Sequence, residues 1–306
     1  MELYKKHRPE TFEQVFGQGT VCAQLAKAVA KRDVPHAVLF TGPSGCGKTT
    51  LARILRRQIG CGDADFTEAN CAKERGIDLV RSITRRVGLA PIDGRCRVWL
   101  LDEAHQLTGD AQSAILKELE DQPKHAYFML CTTHPQKLIK TIRTRCTEYA
   151  IKPLGAAELA KAVAAVAKEE GLKVSKDVLD KIVENSEGSA RKAIVLLDQV
   201  ASLDDEDAQL EAVSQAGAEA AAIEIARALI APGTTWPTMA KILKEIQEDA
   251  ESIRWLVLGY CKTVLLGGGK LAPRAFMIIE EFGRNFYDTK EAGLVAACYA
   301  VLHARK

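Results

Sequence analysis

The sequence predicts an α/β domain with a parallel sheet, followed by two all-helical segments. The first half of the chain alternates short apolar runs with helical patterns, and the strand signal disappears after Leu154. Three short amphipathic helices come next, and further helical periods then continue to the end of the chain. We therefore expect three domains, over residues 1–153, 154–203 and 204–306.

Five short segments are predicted as strands because each is rich in β-branched or aromatic residues. They are residues 36–41, 65–70, 97–101, 127–133 and 148–151. The three short helices are expected over residues 158–168, 174–183 and 190–203. In the last segment, Pro232-Gly233, residues 267–269 and Pro273 are typical of loops between helices.

The composition excludes membrane-spanning and disordered classes. Of 306 residues, 47% are hydrophobic and 27% are charged, as in an ordinary globular chain. The longest uncharged apolar run, residues 292–304, is shorter than the roughly 20 residues of a membrane span, and the first residues have no signal-peptide core. Nine cysteines lie mostly in apolar patterns without zinc-site spacing, which predicts reduced thiols. We expect a cytoplasmic protein with no membrane partner.

The net charge of +2 conceals an uneven distribution of charge along the chain. Residues 1–152 hold 24 basic and 17 acidic side chains, whereas residues 201–306 hold 11 basic and 15 acidic ones. The basic excess therefore lies in the predicted α/β domain, where we expect a polyanion to bind.

A glycine-rich loop follows the first predicted strand and opens a predicted helix. Residues 42–49 fit the pattern GxxxxGK[ST], in which backbone N–H groups turn toward phosphates. Lys48 is expected to reach the outer phosphates, and the Thr49 hydroxyl is expected to bind magnesium. The nucleotide-binding residues predicted here are Gly42, Pro43, Ser44, Gly45, Cys46, Gly47, Lys48, Thr49 and Thr50.

Two carboxylates, Asp102 and Glu103, stand at the end of the third predicted strand. We expect Asp102 to hold magnesium through water and Glu103 to polarise the water that attacks the γ-phosphate. Ala104 and His105 complete a DEAH string, which is also typical of one helicase class. The chain is short and lacks the second RecA-like domain of such helicases, so we reject that class. His105 is predicted to start a helix and not to act in catalysis.

Several further segments together resemble one family, the AAA+ clamp-loader ATPase subunits, which include replication factor C small subunits, phage clamp-loader subunits and the bacterial tau/gamma subunit. The matching segments are residues 4–9 with Phe12 and Gly17-Gln18, the GIDLVR segment within residues 68–81, residues 132–138, residues 144–146 and residues 188–193. The resemblance covers the first 200 residues. It implies a RecA-like AAA+ α/β domain, a three-helix lid and an all-α collar.

The resemblance also implies roles for single residues around the nucleotide. Arg8 and Pro9 would lie beside the adenine, and Thr133 would be the sensor 1 residue that hydrogen-bonds the attacking water. Arg191 would be the sensor 2 residue that reaches the γ-phosphate in its own subunit. Arg145 would be the arginine finger that acts on the γ-phosphate of a neighbouring subunit, which requires oligomerisation.

A DNA-binding helix is expected after the second strand. Ile77, Arg81 and Arg85 recur at four-residue spacing on one helix face, and Arg86 stands beside them. A basic face without interleaved aromatic residues suits contacts with the phosphate backbone of DNA. A solvated charged helix is the alternative, and the likeness of the GIDLVR segment to the family favours DNA.

Two polar residues are implied to couple DNA to ATP hydrolysis. Asn70 would hold Glu103 away from water until DNA arrives, and Gln112 would connect the ATP sites to DNA. The residues themselves leave two alternatives open, a turn-forming Asn70 and an exposed helical Gln112.

The implied function is ATP-dependent loading of a sliding clamp onto primer–template DNA, with ATP and Mg²⁺ as cofactors. Copies of the chain and one distinct subunit would form a hetero-oligomer, expected to be a pentamer. Trp255, Leu256, Leu258 and Tyr260 are predicted to pack inside the collar. The alternatives are another AAA+ machine, such as a helicase loader or branch-migration motor, and a non-hydrolysing scaffold subunit.

Overall fold

A computed structural model describes residues 2–203, 205–246 and 248–304. The chain divides into two compact units, Met1–Ala201 and Ser202–Lys306. The first unit contains the sheet and the three short helices that follow it, and the second unit is helical. The expected separation of the first unit into two domains at residue 153 stays a prediction.

The sheet has five parallel strands, so the predicted sheet is confirmed, and the predicted strand ends are correct to within one residue. The strands are β1 (Ala37–Thr41), β2 (Phe66–Asn70), β3 (Arg97–Asp102), β4 (Ala126–Thr132) and β5 (Thr147–Ala150). Their order in the sheet is β2-β3-β4-β1-β5. Thr41 of β1 pairs with Thr132 of β4, and Leu101 of β3 pairs with Leu130 of β4. The carboxyl ends of β1, β4 and β3 therefore meet at one edge.

Helices cover both faces of the sheet because the strands are apolar on both sides. The helices of the first unit are α1 (Leu3–Lys6), α2 (Gly19–Lys31), α3 (Lys48–Gln58), α4 (Ile77–Val87), α5 (Gly109–Glu120), α6 (Lys140–Arg145), α7 (Ala156–Glu169), α8 (Lys176–Asn185) and α9 (Ala190–Val200). Val38 and Phe40 of β1 belong to the core with α3, whereas Leu39 belongs to the opposite core with α4 and α5. This alternation is the two-residue period of a strand.

Helices α7 to α9 agree with the three predicted helices to within three residues at each end. Serine side chains cap two of them: Ser175 accepts from the backbone N–H of Val178, and Ser189 accepts from that of Lys192. Such caps satisfy backbone donors that a helix leaves unpaired at its N-terminus.

The second unit consists of α10 (Glu206–Ile230), α11 (Trp236–Glu245), α12 (Ala250–Leu266), α13 (Ala272–Glu281) and α14 (Lys290–His303). Leu258 and Tyr260 pack against its apolar core, as predicted. Trp255 and Leu256 do not, because their exposed fractions are 61% and 37%. The prediction that they pack inside the unit is therefore wrong. They lie on the outer side of α12, because Ile253 and Val257 face the core. Among the described helices, none has both the length and the apolar character needed to cross a membrane.

A buried ion pair fixes the loop that leads into β3. The Asp65 carboxylate lies 3.0 Å from Nη2 of Arg97 and accepts backbone N–H groups of Ile92, Asp93 and Gly94. Burial alone would raise the pKa of Asp65, but these donors and the arginine outweigh it and lower the pKa to about 2. The ionised carboxylate therefore holds the loop in place.

We expect Asp65→Ala to reduce the free energy of unfolding by about 3–5 kcal/mol, because Arg97 is left buried without its partner. Urea denaturation measures this. The matched control is Asp78→Ala, which removes an ion pair with Arg81 that is exposed on both sides and should cost at most about 1 kcal/mol. Because the folded pKa lies below the ordinary value of 3.8, the stabilisation is complete above about pH 4 and is lost as the pH falls toward 2. Equal losses in the two variants would contradict this role.

Candidate functional site

The loop between β1 and α3 needs glycine at two positions. Gly42 has φ 140°, and a Cβ there would lie 2.0 Å from the carbonyl oxygen of Ile151. Gly45 has φ 76°, and its Cβ would lie 2.1 Å from Oγ of Ser189. Only glycine combines these backbone angles with such close contacts. The predicted phosphate-binding loop is thus packed tightly against the segments that follow β5 and precede α9.

Lys48 is the first residue of α3, and its ammonium group lies inside this loop. Nζ donates to the carbonyl oxygens of Gly42 and Pro43, at 2.9 and 2.7 Å. Burial lowers the pKa of Lys48, and the nearby Glu103 and Asp102 oppose this shift. The loop therefore presents a cation together with the N-terminus of α3, which suits an anionic ligand.

Two oxygen ligands suited to magnesium come together between α3 and β3. Oγ1 of Thr49 donates to Oδ2 of Asp102 at 3.1 Å. A hydroxyl and one carboxylate are the donors that Mg²⁺ uses beside water and phosphate oxygens. Among the described residues, no group of three or more His, Cys, Asp or Glu side chains could hold a metal. A magnesium ion here would take its remaining ligands from water and phosphate.

Glu103 follows β3 with an uncommon backbone conformation. Its φ is 51°, in the left-handed region that costs a non-glycine residue roughly 1–3 kcal/mol. Oε2 accepts a hydrogen bond from Oγ1 of Thr133 at 3.2 Å and lies 3.3 Å from Nδ1 of His105. The predicted base and the predicted sensor 1 residue therefore meet at the shared edge of β3 and β4.

His105 lies in a 3₁₀ turn, Ala104–Gln106, and its side chain is buried against Glu103 and Thr132. Its predicted position at the start of a helical turn agrees with the structure. Its contact with Glu103 was missed, although its place two residues after Glu103 in the DEAH string was the available signal.

A cavity of about 500 Å³ extends from this edge toward α7 and α9, within the usual size range of ligand pockets. The predicted residues that line it are Arg8, Pro9, Ser44, Gly45, Cys46, Gly47, Lys48, Thr49, Thr50, Asp102, Glu103 and Arg191. Gly42 and Pro43 lie with Thr133 around an adjoining open cleft that shares Ser44 and Glu103. The structure thus brings together most of the residues predicted to bind nucleotide.

The N-terminal segment forms one wall of the cavity because charged side chains attach it to α7. Lys6 and His7 both contact Glu170, and Nδ1 of His7 lies 3.0 Å from Glu169. These contacts place Arg8 and Pro9 at the cavity, beside apolar residues such as Val166.

Helix α9 begins directly on the phosphate-binding loop. The backbone N–H of Arg191 donates to the carbonyl oxygen of Gly45 at 3.3 Å, and Sγ of Cys46 donates to that of Gly188 at 3.7 Å. The guanidinium of Arg191 lies 5.7 Å from the centre of the Tyr4 ring, at the cavity. The predicted sensor 2 residue is therefore next to the loop, although far from it in sequence.

Arg145 lies outside the cavity of its own chain. It is the last residue of α6, is exposed, and forms an ion pair with Glu120 at the end of α5. The role predicted for it in a neighbouring subunit stays a prediction.

The two predicted coupling residues have different environments. Oδ1 of Asn70 accepts from the backbone N–H of Ala72 at 2.9 Å, which is the turn-forming arrangement. Gln112 is only 5% exposed, so the alternative of an exposed helical glutamine is wrong. Its Oε1 accepts from the backbone N–H of Ile139 and its Nε2 donates to the carbonyl oxygen of Leu107. Gln112 thereby joins α5 to the segment between β4 and α6.

Helix α4 presents the predicted basic face to solvent. Arg81, Arg85 and Arg86 are exposed, whereas Val80 and Ile83 are buried. Arg81 pairs with Asp78 at 3.0 Å, an exposed contact of small energetic value. Ile77 is the first residue of the helix and is half-buried, so it is less accessible than the arginines.

Comparisons with known proteins identify families and relatives that this chain resembles. The family described as DNA polymerase III, delta subunit, matches residues 68–155, and the sigma-54 interaction domain matches residues 17–82. The chain is 34% identical over 223 residues to DNA polymerase III subunit gamma/tau of Mycobacterium tuberculosis, covering 65% of this chain and 39% of that protein. It is 35% identical over 203 residues to the replication factor C small subunit of Methanocella arvoryzae, covering 65% of this chain and 63% of that protein.

The chain spans about two fifths of the length of the gamma/tau relatives. Among solved structures, it is similar to the RuvB Holliday junction branch migration motor of Thermotoga maritima, with a TM-score of 0.53 and 19% identity over 86% of this chain and 81% of that one. At this identity the likeness concerns the fold alone.

We expect Lys48→Ala to weaken ATP binding at least about 100-fold, because the phosphates lose a buried charged donor. Isothermal titration calorimetry measures the affinity. Lys27→Ala, which removes an exposed lysine from α2, serves as the control and should bind ATP as wild type does. If the two variants bound ATP equally well, Lys48 would not contact the phosphates.

Proposed function

We propose that this chain, which belongs to the family of AAA+ clamp-loader subunits, hydrolyses ATP to load a ring-shaped sliding clamp onto primer–template DNA. The observation that carries the proposal is the convergence of Thr49, Asp102, Glu103 and Thr133 beside the phosphate-binding loop. These residues come from three separate segments and supply the groups that hydrolysis of a phosphoanhydride needs.

Each of these residues has a task that its position supports. Lys48 and the N-terminus of α3 would neutralise the phosphates, while Thr49 and Asp102 would hold Mg²⁺, which supplies charge stabilisation when bound. Glu103 would accept a proton from the attacking water. The hydrogen bond that Thr133 donates to Glu103 would help to orient the carboxylate. Arg8 and Pro9 would contact the adenine, and Arg191 would sense the γ-phosphate.

Assembly is the second part of the proposal. Residues 154–203 would act as a lid on the nucleotide, and residues 204–306 would form the collar that joins subunits. The exposed Trp255 and Leu256 suit such a contact, since large apolar side chains are otherwise rarely left in water together. Copies of the chain and one distinct subunit would form a cytoplasmic hetero-oligomer, expected to be a pentamer, in which Arg145 reaches the neighbouring ATP.

DNA would contact the exposed arginines of α4, Arg81, Arg85 and Arg86, through its phosphates. Asn70 and Gln112 would connect DNA to hydrolysis, Gln112 through its hydrogen bonds to Leu107 and Ile139 near the sheet edge. A branch-migration motor shares the fold, but no contact in the site favours it. A non-hydrolysing scaffold would have no need of Lys48, Glu103 and Thr133 in this arrangement.

The proposed function is tested by ATP turnover with and without primer–template DNA and candidate clamps, for wild type and Glu103→Gln. We expect wild-type turnover to rise with DNA and further with the clamp. Glu103→Gln should lower turnover about 10²- to 10⁴-fold while keeping ATP affinity, because an amide cannot take the proton. The control Glu184→Gln, an exposed glutamate of α8, should behave as wild type. Normal turnover in Glu103→Gln would remove Glu103 as the base, and a wild type insensitive to DNA and every clamp would contradict clamp loading.

Arg81→Ala combined with Arg85→Ala should weaken binding of primer–template DNA and flatten its dependence on salt, because fewer counterions are released. Basal ATP hydrolysis should change little. Fluorescence anisotropy at several salt concentrations measures the affinity. Lys161→Ala is the control, because Lys161 forms an exposed i,i+3 ion pair with Glu158 comparable to that between Arg81 and Asp78. An unchanged DNA affinity in the double variant would exclude α4 as the DNA-binding helix.

A further inference from the structure

Gln18, the residue directly before α2, uses its side-chain amide to hold the backbone of a distant segment. The residue is only 5% exposed. Its Nε2 donates to the carbonyl oxygen of Lys152 at 2.7 Å, and its Oε1 accepts from the backbone N–H of the same residue at 3.4 Å. One planar amide therefore pairs with both backbone groups of a residue that is 134 positions away in sequence.

Only a side-chain amide can make both of these contacts. The partners fix its orientation, because the carbonyl oxygen needs a donor and the N–H needs an acceptor. An ionised glutamate in this place could accept but not donate, and a methionine of similar length could do neither. The side chains of Lys152 and Pro153 are exposed, so the amide, and not packing of these two side chains, fixes this stretch of backbone.

The stretch that Gln18 holds, residues 151–154, is called the linker here and leads from β5 toward α7. The carbonyl oxygen of Ile151 is the atom that leaves no room for a Cβ at Gly42 in the phosphate-binding loop. The backbone N–H of Leu154 donates to the carbonyl oxygen of Gly188 at 2.9 Å, shortly before α9, and Leu154 lines the cavity. The linker thus contacts the phosphate-binding loop, the approach to α9 and the cavity.

The residues before Gln18 line the same cavity. Val15 and Phe16 belong to its wall. Gly17 follows with φ 71°, and a Cβ there would lie 2.9 Å from Cγ of Leu154, so glycine permits the close approach of the two segments. Gln18 therefore joins two walls of the cavity, the one formed by Val15 and Phe16 and the one to which Leu154 belongs.

We propose that Gln18 is a positioning residue for nucleotide binding, which holds the linker so that Leu154 stays at the cavity opposite Val15 and Phe16. The proposal rests on the nucleotide-binding part of the proposed function. Gln18 is not among the described residues that line the cavity, so it acts on the nucleotide through the linker and not by contact.

The chemistry of these walls determines which measured quantity depends on Gln18. Val15, Phe16 and Leu154 are apolar, so they suit the base of a nucleotide and not its phosphates. The base is common to ATP and ADP and does not change during hydrolysis. Loss of the amide therefore weakens the binding of both nucleotides by the same factor and raises KM, whereas kcat at saturating ATP is kept.

The first experiment measures the dissociation constants of ATP and ADP for the full chain by isothermal titration calorimetry, together with kcat and KM for ATP. We expect Gln18→Met and Gln18→Glu to raise both dissociation constants and KM about 10-fold, with kcat within about 3-fold of wild type. If Gln18 only filled space, both variants would bind nucleotide as wild type does, because both substitutes have nearly the volume of glutamine.

Gln209→Met is the matched control. Gln209 is also 5% exposed, and its Nε2 donates to the carbonyl oxygen of Leu203 at 2.7 Å, but it belongs to α10. The substitution removes a comparable buried hydrogen bond, so it should lower the melting temperature about as much as Gln18→Met and leave both dissociation constants unchanged. An equal loss of affinity in the control would show that lost stability is the cause, and would overturn the role of Gln18.

A second measurement uses wild type alone and decides the matter even if the variants do not fold. Binding free energies are reciprocal, so a linker whose position favours nucleotide binding must in turn be stabilised by the nucleotide. Hydrogen exchange read by mass spectrometry follows the peptide that contains the linker, with and without ADP. We expect ADP to slow its exchange more than that of α8, which contributes none of the described residues of the cavity wall. Equal slowing in the two peptides would contradict the proposal.

Failure of this proposal can be distinguished from failure of the proposed function. If wild type binds ATP but hydrolyses no more of it than Lys48→Ala does, the proposed function is overturned, while the affinities for ATP and ADP still decide the role of Gln18. If wild type hydrolyses ATP but Gln18→Met keeps both dissociation constants, or loses kcat with its affinities unchanged, only the role of Gln18 is overturned.

Discussion

The parallel pairing of β1, β4 and β3 is the constraint on which the site depends. Their register aligns three carboxyl ends, so the residues that follow each strand meet within hydrogen-bonding distance. Thr49 follows β1 by way of the glycine loop, Glu103 follows β3 and Thr133 follows β4. A shift of one residue in any pairing would turn the side chains to the opposite face and separate these groups.

The sheet and its motifs could be predicted because their signals are local. Each strand is a short apolar run between helical patterns, and the glycine loop and the two carboxylates stand in fixed positions beside strands. The environment of Gln112 was not predictable in this way. Its burial depends on Ile139, which lies on a different element and has no sequence relation to it. The helical pattern alone is compatible with either an exposed or a buried glutamine.

Long-range packing also explains the other differences. Arg191 is exposed, as its residue type suggests, but its position at the cavity depends on the backbone hydrogen bond that joins the start of α9 to Gly45. Trp255 looks like a core residue, yet it lies on the outer side of α12. In both cases the residue type indicates only whether the side chain prefers water or an apolar environment. Which face of a helix meets the core, and where the helix begins, depends on segments far away in the chain.

The glycine loop connects the nucleotide to the helices that follow the sheet. Gly45 leaves no room for a side chain because Ser189 lies against it, and its carbonyl oxygen accepts the N–H of Arg191. A ligand that changes the path of this loop must therefore change either that hydrogen bond or the position of α9. Helix α9 packs on α7, and the end of α7 holds the N-terminal segment through Glu169 and the following residue, Glu170. One displacement would therefore reach both walls of the cavity. The glycine loop, α9, α7 and the N-terminal segment are thereby joined by one continuous series of contacts.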